Sequence, residues 1–223
     1  MGTDIHEYME KRQPNGTWEQ VPAPNLWRNY DVFSILADVR NGYGFGGCKT
    51  GEGLIPISEP KGLPNDLSVG LLEQIEDDWG FHSHSWLTLR ELQEYDYEQE
   101  TTKYGVIGET SYVEWKQQGG GFPKDGWSGG ISGWAHETVT PEEMDRIITG
   151  ERVREIKDPQ NSCLYPEIAT KYAPTEISYS VIVSWPIKYK DVAKPILETL
   201  IPAMEVLADG DPDSVRFVFW FDS

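Results

Sequence analysis

Two pairs of acidic or histidine residues have the spacing of metal ligands. His82 and His84 lie one residue apart in the stretch FHSHSWLTL, residues 81–89, and Asp4 and His6 have the same spacing near the start of the chain. Side chains on an extended segment alternate with a period of two, so each pair would point to one side. If the two pairs met, three imidazoles and a carboxylate would suit zinc, manganese or iron and would activate water for hydrolysis.

The opposing interpretation of these histidines is structural. An H-x-H pair alone is a weak indication of a metal, and the two pairs are far apart in the sequence. The histidines would then cap helices or bond to backbone carbonyls. A metal-dependent hydrolase or phosphodiesterase with a divalent metal is therefore an alternative, and the main expectation is a protein without a cofactor.

A second group of residues favours a nucleotide-like ligand. Arg40 directly precedes NGYGFGG, residues 41–47, and Arg28 and Tyr30 lie shortly before it. Arginine pairs with phosphate or stacks on a ring, and glycine lets backbone N–H groups approach phosphate. The rings that would stack on bases are Trp27, Tyr43 and Phe45. The alternative for Tyr43 and Phe45 is a surface loop held in place by its own aromatic rings.

Several conventional enzyme classes are disfavoured. The glycine loop lacks the Lys and the Ser or Thr of a P-loop and does not fit G-x-G-x-x-G. No known local signature surrounds Cys48, and Ser83 and Ser85 are only sequence neighbours of histidines, which is not triad geometry. Nucleophilic catalysis is therefore not expected.

The net charge of −18 over 223 residues disfavours several partners. A field of that sign repels duplex nucleic acid and anionic membranes, and the sequence has no apolar run of transmembrane length. Two cysteines and no C-x-x-C motif favour a reducing cytosol. Exposed Trp and Tyr residues also leave open a protein-binding inhibitor of a host factor.

The first half of the chain predicts a hairpin followed by short helices. Residues 3–12 alternate as a strand, QPNG is a turn, and TWEQV returns as a second strand. Residues 31–40 and 67–79 have helical spacing, and a long loop joins them. HSHSW reads as a loop that enters a helix at Thr88, where Thr88 and Glu91 match a capping box.

The second half predicts an extended segment over 104–115, a Gly- and Trp-rich loop over 116–136, and a helix capped by Thr140 with Pro141 and Glu143. Residues 176–223 read as a strand–helix–strand unit whose last strand is apolar on both faces and central in its sheet. The sequence thus predicts a single α+β domain over residues 1–223, with a mixed sheet, an N-terminal β-hairpin and packed helices.

Five segments together resemble an uncharacterised family of proteins from tailed phages and their hosts. They are MGTDIH, NYDVFSILADVRNGYGFGG, KGLPND, HSHSWLTLREL and VRFVFWFD, and they span nearly the whole chain in this order. The resemblance implies a phage origin and implies no established reaction. By inference, we connect the chain to the anti-CBASS sponge-like proteins with which phages sequester host nucleotide signals.

The sequence therefore predicts a counter-defence protein in the cytoplasm of the infected host. It would bind a small anionic nucleotide of the cyclic-dinucleotide type without turnover, as a homo-oligomer with several equivalent sites. HSHSW would meet the first strand and the 41–56 loop at the site. The predicted ligand-binding residues are Arg28, Tyr30, Arg40, Tyr43, Phe45, His82, His84 and Trp86.

Overall fold

The computed structural model describes residues 2–75, 80–158 and 173–222, and it confirms an α+β fold with an N-terminal hairpin and a mixed sheet. Its strands are β1 (Asp4–Arg12), β2 (Trp18–Val21), β3 (His82–Thr88), β4 (Glu100–Gly108), β5 (His136–Val139), β6 (Ile156–Lys157), β7 (Thr175–Glu176), β8 (Ser178–Lys188) and β9 (Val215–Asp222). Its helices are α1 (Tyr30–Ala37), α2 (Val69–Ile75), α3 (Leu89–Glu94), α4 (Glu109–Gln117), α5 (Pro141–Ile148), α6 (Tyr189–Val192) and α7 (Ile201–Ala208), with a π-helical segment at Ile196–Leu200.

The chain divides into two compact units. The first comprises Met1–Thr102 and Ile187–Ser223, and the second comprises Lys103–Pro186. The single domain over residues 1–223 stays a prediction. Within the described residues, no helix is both long and apolar enough to cross a membrane.

The first unit is built on an antiparallel sheet in the order β2-β1-β9-β3. Every residue of β9 from Val215 to Phe221 is buried, which confirms the predicted central strand. One face of β9 presents Phe217, Phe219 and Phe221 to a core that includes α1, α3 and α7. The opposite face presents Val218 and Trp220 to α2.

Local signals explain the elements that frame this sheet. In α1, the side chain of Asn29 accepts hydrogen bonds from the backbone N–H groups of Asp31 and Val32, which satisfies the start of the helix. The predicted capping box of Thr88 and Glu91 is confirmed at the start of α3. α2 covers Val69–Ile75 of the predicted helix over 67–79, and residues 76–79 of that prediction lie outside the described residues.

The predicted loop at HSHSW is wrong, because this stretch forms most of β3. Its residues are polar enough to suggest a surface loop, but the buried strand β9 offers them a ladder of backbone hydrogen bonds along its edge. Tertiary pairing thus decides the conformation of this segment.

The second unit contains a three-stranded sheet in the order β4-β8-β5, with β5 parallel to β8. The predicted extended segment over 104–115 is wrong beyond Gly108, where α4 begins with Glu109 in its first turn. A carboxylate in a first turn is favourable to the helix dipole. The predicted helix at 141–148 is confirmed, with its Thr140 and Glu143 capping box.

The predicted strand–helix–strand elements at the C-terminus are present, but their strands join different sheets. β8 lies in the three-stranded sheet and β9 in the four-stranded one. The sequence of residues 191–208 also predicts one amphipathic helix that Pro202 bends or breaks. The interruption lies instead at Ala193, after α6, and the π-helical segment Ile196–Leu200 leads directly into α7, with Pro202 in its first turn. Proline fits a first turn because it has no N–H to donate.

Candidate ligand-binding surface

Arg28 is held by the first residue of β1. Its Nε donates to Asp4 Oδ1 at 2.7 Å and its Nη2 donates to Asp4 Oδ2 at 2.5 Å. This two-pronged hydrogen bond lowers the pKa of the Asp4 carboxyl below its usual value. Gly2 lies directly beneath the guanidinium, where an added Cβ would come within 2.8 Å of Nη1. The arginine is thus oriented by residues that precede and open the strand.

Arg40 is held by Thr3, the residue directly before Asp4. Its Nε donates to Thr3 Oγ1 at 2.7 Å, and its guanidinium carbon lies 5.7 Å from the centre of the Tyr30 ring. The Tyr30 hydroxyl in turn accepts a hydrogen bond from the backbone N–H of Thr3 at 3.4 Å. The structure therefore brings together Arg28, Tyr30 and Arg40, as predicted, around the start of β1.

Three aromatic side chains close to these arginines in the sequence are exposed to solvent. Trp27 is 75% exposed, Phe45 69% and Tyr43 49%. Trp27 directly precedes Arg28, and the backbone N–H of Tyr43 bonds to the carbonyl of Arg40. We call the set Trp27, Arg28, Tyr30, Arg40, Tyr43 and Phe45 the arginine surface.

The glycine-rich loop is ordered by its own backbone. Gly44 N–H donates to the Cys48 carbonyl, and Gly47 N–H donates to the Gly44 carbonyl, so these two groups are not turned outward to phosphate as predicted. Gly42 has a φ of +75°, and an added Cβ would meet the Gly51 carbonyl at 2.8 Å. The close approach of that backbone explains the glycine at position 42.

The backbone is strained at two residues of the arginine surface. Trp27 has a φ of 59° and Arg40 a φ of 57°, which side chains other than glycine rarely adopt. Asp38 and Asp209 share this conformation, but they end α1 and α7, where it is common. Strained residues of this kind cluster at functional sites.

The histidines of HSHSW point to opposite faces of the sheet. Ser83 has a φ of 52°, and the pairing of β3 with β9 shifts there: His82 faces Phe221 and Ser85 faces Phe219. The extra residue is a β-bulge, which breaks the period of two. The His82 ring accordingly stacks on Phe221 in the core face, whereas His84 stacks on Trp220 on the other face.

His84 and Trp86 are packed into the sheet. The Trp86 side chain packs with Val218 and Trp220. The Lys61 ammonium lies 4.4 Å from the centre of the Trp86 ring. Burial, together with His82, lowers the pKa of His84. Burial in this layer makes Trp86 a packing residue rather than a ring exposed for stacking on a base.

The segment that bonds to β3 here is 61–62, through Gly62 N–H to the His84 carbonyl and Lys61 N–H to Ser85 Oγ. The 41–56 loop bonds elsewhere, through Glu52 to Thr102 and through the carbonyl of Ile55 to Tyr95. The predicted meeting of HSHSW with the 41–56 loop is therefore not seen at His84 and Ser85.

The four predicted metal ligands are not brought together. Asp4 is engaged by Arg28, and His6 Nε2 lies 3.2 Å from Asp222 Oδ2. His82 and His84 are on opposite faces. In the part of the chain that the structure describes, no group of three or more His, Cys, Asp or Glu side chains is placed to hold a metal ion.

Sequence reasoning missed Asp222, which links two of the residues it singled out. Asp222 Oδ1 accepts the Asp4 N–H at 3.0 Å, and its other oxygen faces His6. Alternation along VRFVFWFD places Asp222 on the same face as Trp220, but only the pairing of β1 with β9 brings it to Asp4.

A serine–histidine contact in the second unit was also missed. His136 Nε2 lies 2.9 Å from Ser180 Oγ and its Nδ1 lies 3.1 Å from Ser178 Oγ. Ser180 is fully buried, so its hydroxyl reaches no substrate and the contact ties β5 to β8.

Comparisons of the chain with family models, with curated proteins and with solved structures found no match.

Proposed function

We propose that the chain is a phage-encoded counter-defence protein that binds and sequesters a small anionic nucleotide signal, of the cyclic-dinucleotide type, in the cytoplasm of the infected bacterium. The ligand would lie on the arginine surface. There, Trp27 and Phe45 would stack on its bases while the two arginines face its phosphates. His82, His84 and Trp86 are left out of this site because the sheet packs them elsewhere.

One observation carries the proposal. The exposed rings of Trp27, directly before Arg28, and of Tyr43, whose N–H bonds to the Arg40 carbonyl, accompany two arginines whose heads are fixed by Asp4 and Thr3. Exposed rings lose solvent contact when they stack, and fixed guanidinium groups lose little conformational entropy on binding. The strained backbone at Trp27 and Arg40 supports the same location.

Sequestration agrees better with these contacts than turnover does. The residues expected to hold a catalytic metal have other partners or point to opposite faces. The net charge of −18 favours a small anion held by local cations over a duplex, whose many phosphates would be repelled. A sponge gains capacity from several equivalent sites, so we expect a homo-oligomer with ligand at a subunit interface.

The fate of the ligand tests the proposal. The purified protein would be incubated with cyclic dinucleotides and NAD-derived signals, with EDTA or with Mn²⁺, and then filtered and heat-denatured. Mass spectrometry of both fractions is expected to show intact signal depleted from the filtrate and released by heat. Loss of signal to linear products would show turnover and overturn sequestration. Depletion of no candidate would favour the protein-binding inhibitor.

A matched pair of variants tests the location. Arg28→Ala and Arg90→Ala both remove an exposed arginine from a two-pronged bond to an aspartate, since Arg90 binds Asp213 as Arg28 binds Asp4. Arg28→Ala is expected to weaken ligand binding about tenfold or more, and Arg90→Ala to leave it unchanged. Equal binding by both variants would place the ligand elsewhere.

A further inference from the structure

Glu7 lies beside a cavity at the end of β2. The cavity has a volume of about 380 Å³ and is lined by Glu7, Tyr8, Gln20, Val21, Pro22 and Ala23. It exists because β2 pairs with β1 only from Met9 to Arg12 and the chain then leaves the strand at Pro22. A volume of this size is in the range of small-molecule sites.

The Glu7 carboxylate has an amide partner but no cationic one among the described residues. Both of its oxygens accept the backbone N–H of Leu26, at 2.9 and 3.1 Å. Burial raises the pKa of Glu7 to about 7, against the opposing effect of that hydrogen bond. Residues 22–26 carry no ionisable side chain, and the residue that pairs with Glu7 on β9 is Phe219. Tyr8 is the other titratable residue that lines the cavity.

We propose that this cavity binds a small alkylammonium ion, such as one end of a polyamine, with Glu7 as its counter-ion. The ammonium group would supply the cation that the half-buried carboxylate lacks. The alkyl chain would lie against Val21, Pro22 and Ala23.

The overall charge of the protein suits the same ligand. The net charge of −18 draws cations toward the protein as a whole. Its proposed ligand is a cation, whereas the ligand proposed for the arginine surface is an anion.

Putrescine and 1,4-butanediol form a matched pair of probes, because they have the same length and only putrescine is charged. Each would be titrated at pH 8 by calorimetry and by following the backbone amide resonance of Leu26. Putrescine is expected to bind saturably and to shift the Leu26 resonance, and butanediol to do neither. Failure of putrescine to bind, or equal binding of both probes, would overturn the proposal.

Glu7→Gln tests the counter-ion while leaving an oxygen to accept the Leu26 N–H. It is expected to weaken putrescine binding about tenfold or more, and Glu19→Gln, an exposed residue on β2, is expected to have no effect. In the wild type, affinity is expected to rise between pH 6 and pH 8 as Glu7 ionises. Unchanged binding by Glu7→Gln, or affinity that is flat over this pH range, would contradict the assignment.

Discussion

Glu10 and Arg216 face each other on β1 and β9 and form an ion pair that is almost entirely removed from solvent. Arg216 Nη2 lies 2.7 Å from Glu10 Oε2, and their side chains are 3% and 0% exposed. Glu10 Oε1 also accepts the Ser68 N–H at 2.8 Å, and Arg216 Nη1 donates to Asp66 at 2.7 Å. The pair therefore fixes the chain just before α2 to the sheet.

Removing one partner of this pair is expected to destabilise the protein strongly. Arg216→Met would leave the buried Glu10 carboxyl without its counter-ion, at a cost of about 3–5 kcal/mol in the free energy of unfolding. Arg90→Met is the control, because Arg90 pairs with Asp213 in solvent and such exposed pairs contribute little to stability. Urea unfolding of both variants measures the difference, and similar losses would contradict the role of burial.

The β-bulge at Ser83 is expected to tolerate glycine and to reject a β-branched residue. Ser83→Val would place a branched side chain at a φ of 52°, at a cost of about 1–2 kcal/mol, whereas Ser83→Gly relieves that strain. Ser184→Val, at an exposed position on β8, is a control expected to change little. Thermal unfolding compares the three variants. If Ser83→Val were as stable as Ser83→Gly, the bulge would not require the strained conformation.

Elements fixed by short-range chemistry were predictable from the sequence, whereas long-range pairing was not. The capping boxes at Thr88 and Thr140 use contacts three residues apart, and both were found. The bulge at Ser83 arises from pairing with β9, more than a hundred residues away, so H-x-H spacing gave the wrong faces for His82 and His84. Likewise, no local pattern could bring Glu10 to Arg216.

The candidate site follows the same division. Arg28, Tyr30 and Arg40 were grouped because they lie close together in the sequence before the glycine-rich loop, and in the structure they contact Thr3 and Asp4. Glu7 was not singled out, because the alternation of residues along a strand does not show which of its charged side chains becomes buried. Its cavity depends on where β2 ends, which the turn sequence does not specify.

Glu7 is expected to make stability fall as pH rises through neutrality. Its pKa is about 7 in the folded protein and near 4.5 when unfolded, so the folded state binds more protons between these values and loses stability as pH increases. Glu7→Gln should therefore stabilise the protein relative to the wild type at pH 8, by on the order of 1 kcal/mol once solvent screening of a half-buried group is allowed for, and much less at pH 5.

The measurement is the difference between wild type and Glu7→Gln in urea unfolding at pH 5, 6, 7 and 8. The difference between the two proteins removes the pH-dependent contribution of carboxylates that both contain, such as Asp4 and Asp66, whose pKa is lowered by arginine. Glu19→Gln, at an exposed position on β2, is the control for the loss of one negative charge from the sheet. A constant difference for Glu7→Gln would mean that Glu7 titrates normally in the folded protein.

Asp4→Asn is expected to strengthen the binding of an anionic ligand at the arginine surface. Asp4 now neutralises Arg28 through two hydrogen bonds, so it competes with any phosphate for that guanidinium. The amide removes one negative charge and keeps one oxygen to orient the arginine, and we expect affinity for a cyclic dinucleotide to rise about 5- to 10-fold at low salt. The gain should shrink at 0.5 M NaCl, because salt screens exposed charges.

Asp213→Asn is the matched control, since it frees Arg90 from the same kind of bond far along the chain. Calorimetric titration of both variants with one cyclic dinucleotide, at low and high salt, separates the local effect of Arg28 from the general loss of a negative charge. An equal gain in both variants would mean that net charge alone attracts the ligand. A loss of affinity in Asp4→Asn would mean instead that the ligand needs the Asp4 carboxylate, either as a direct contact or to hold Arg28 in place.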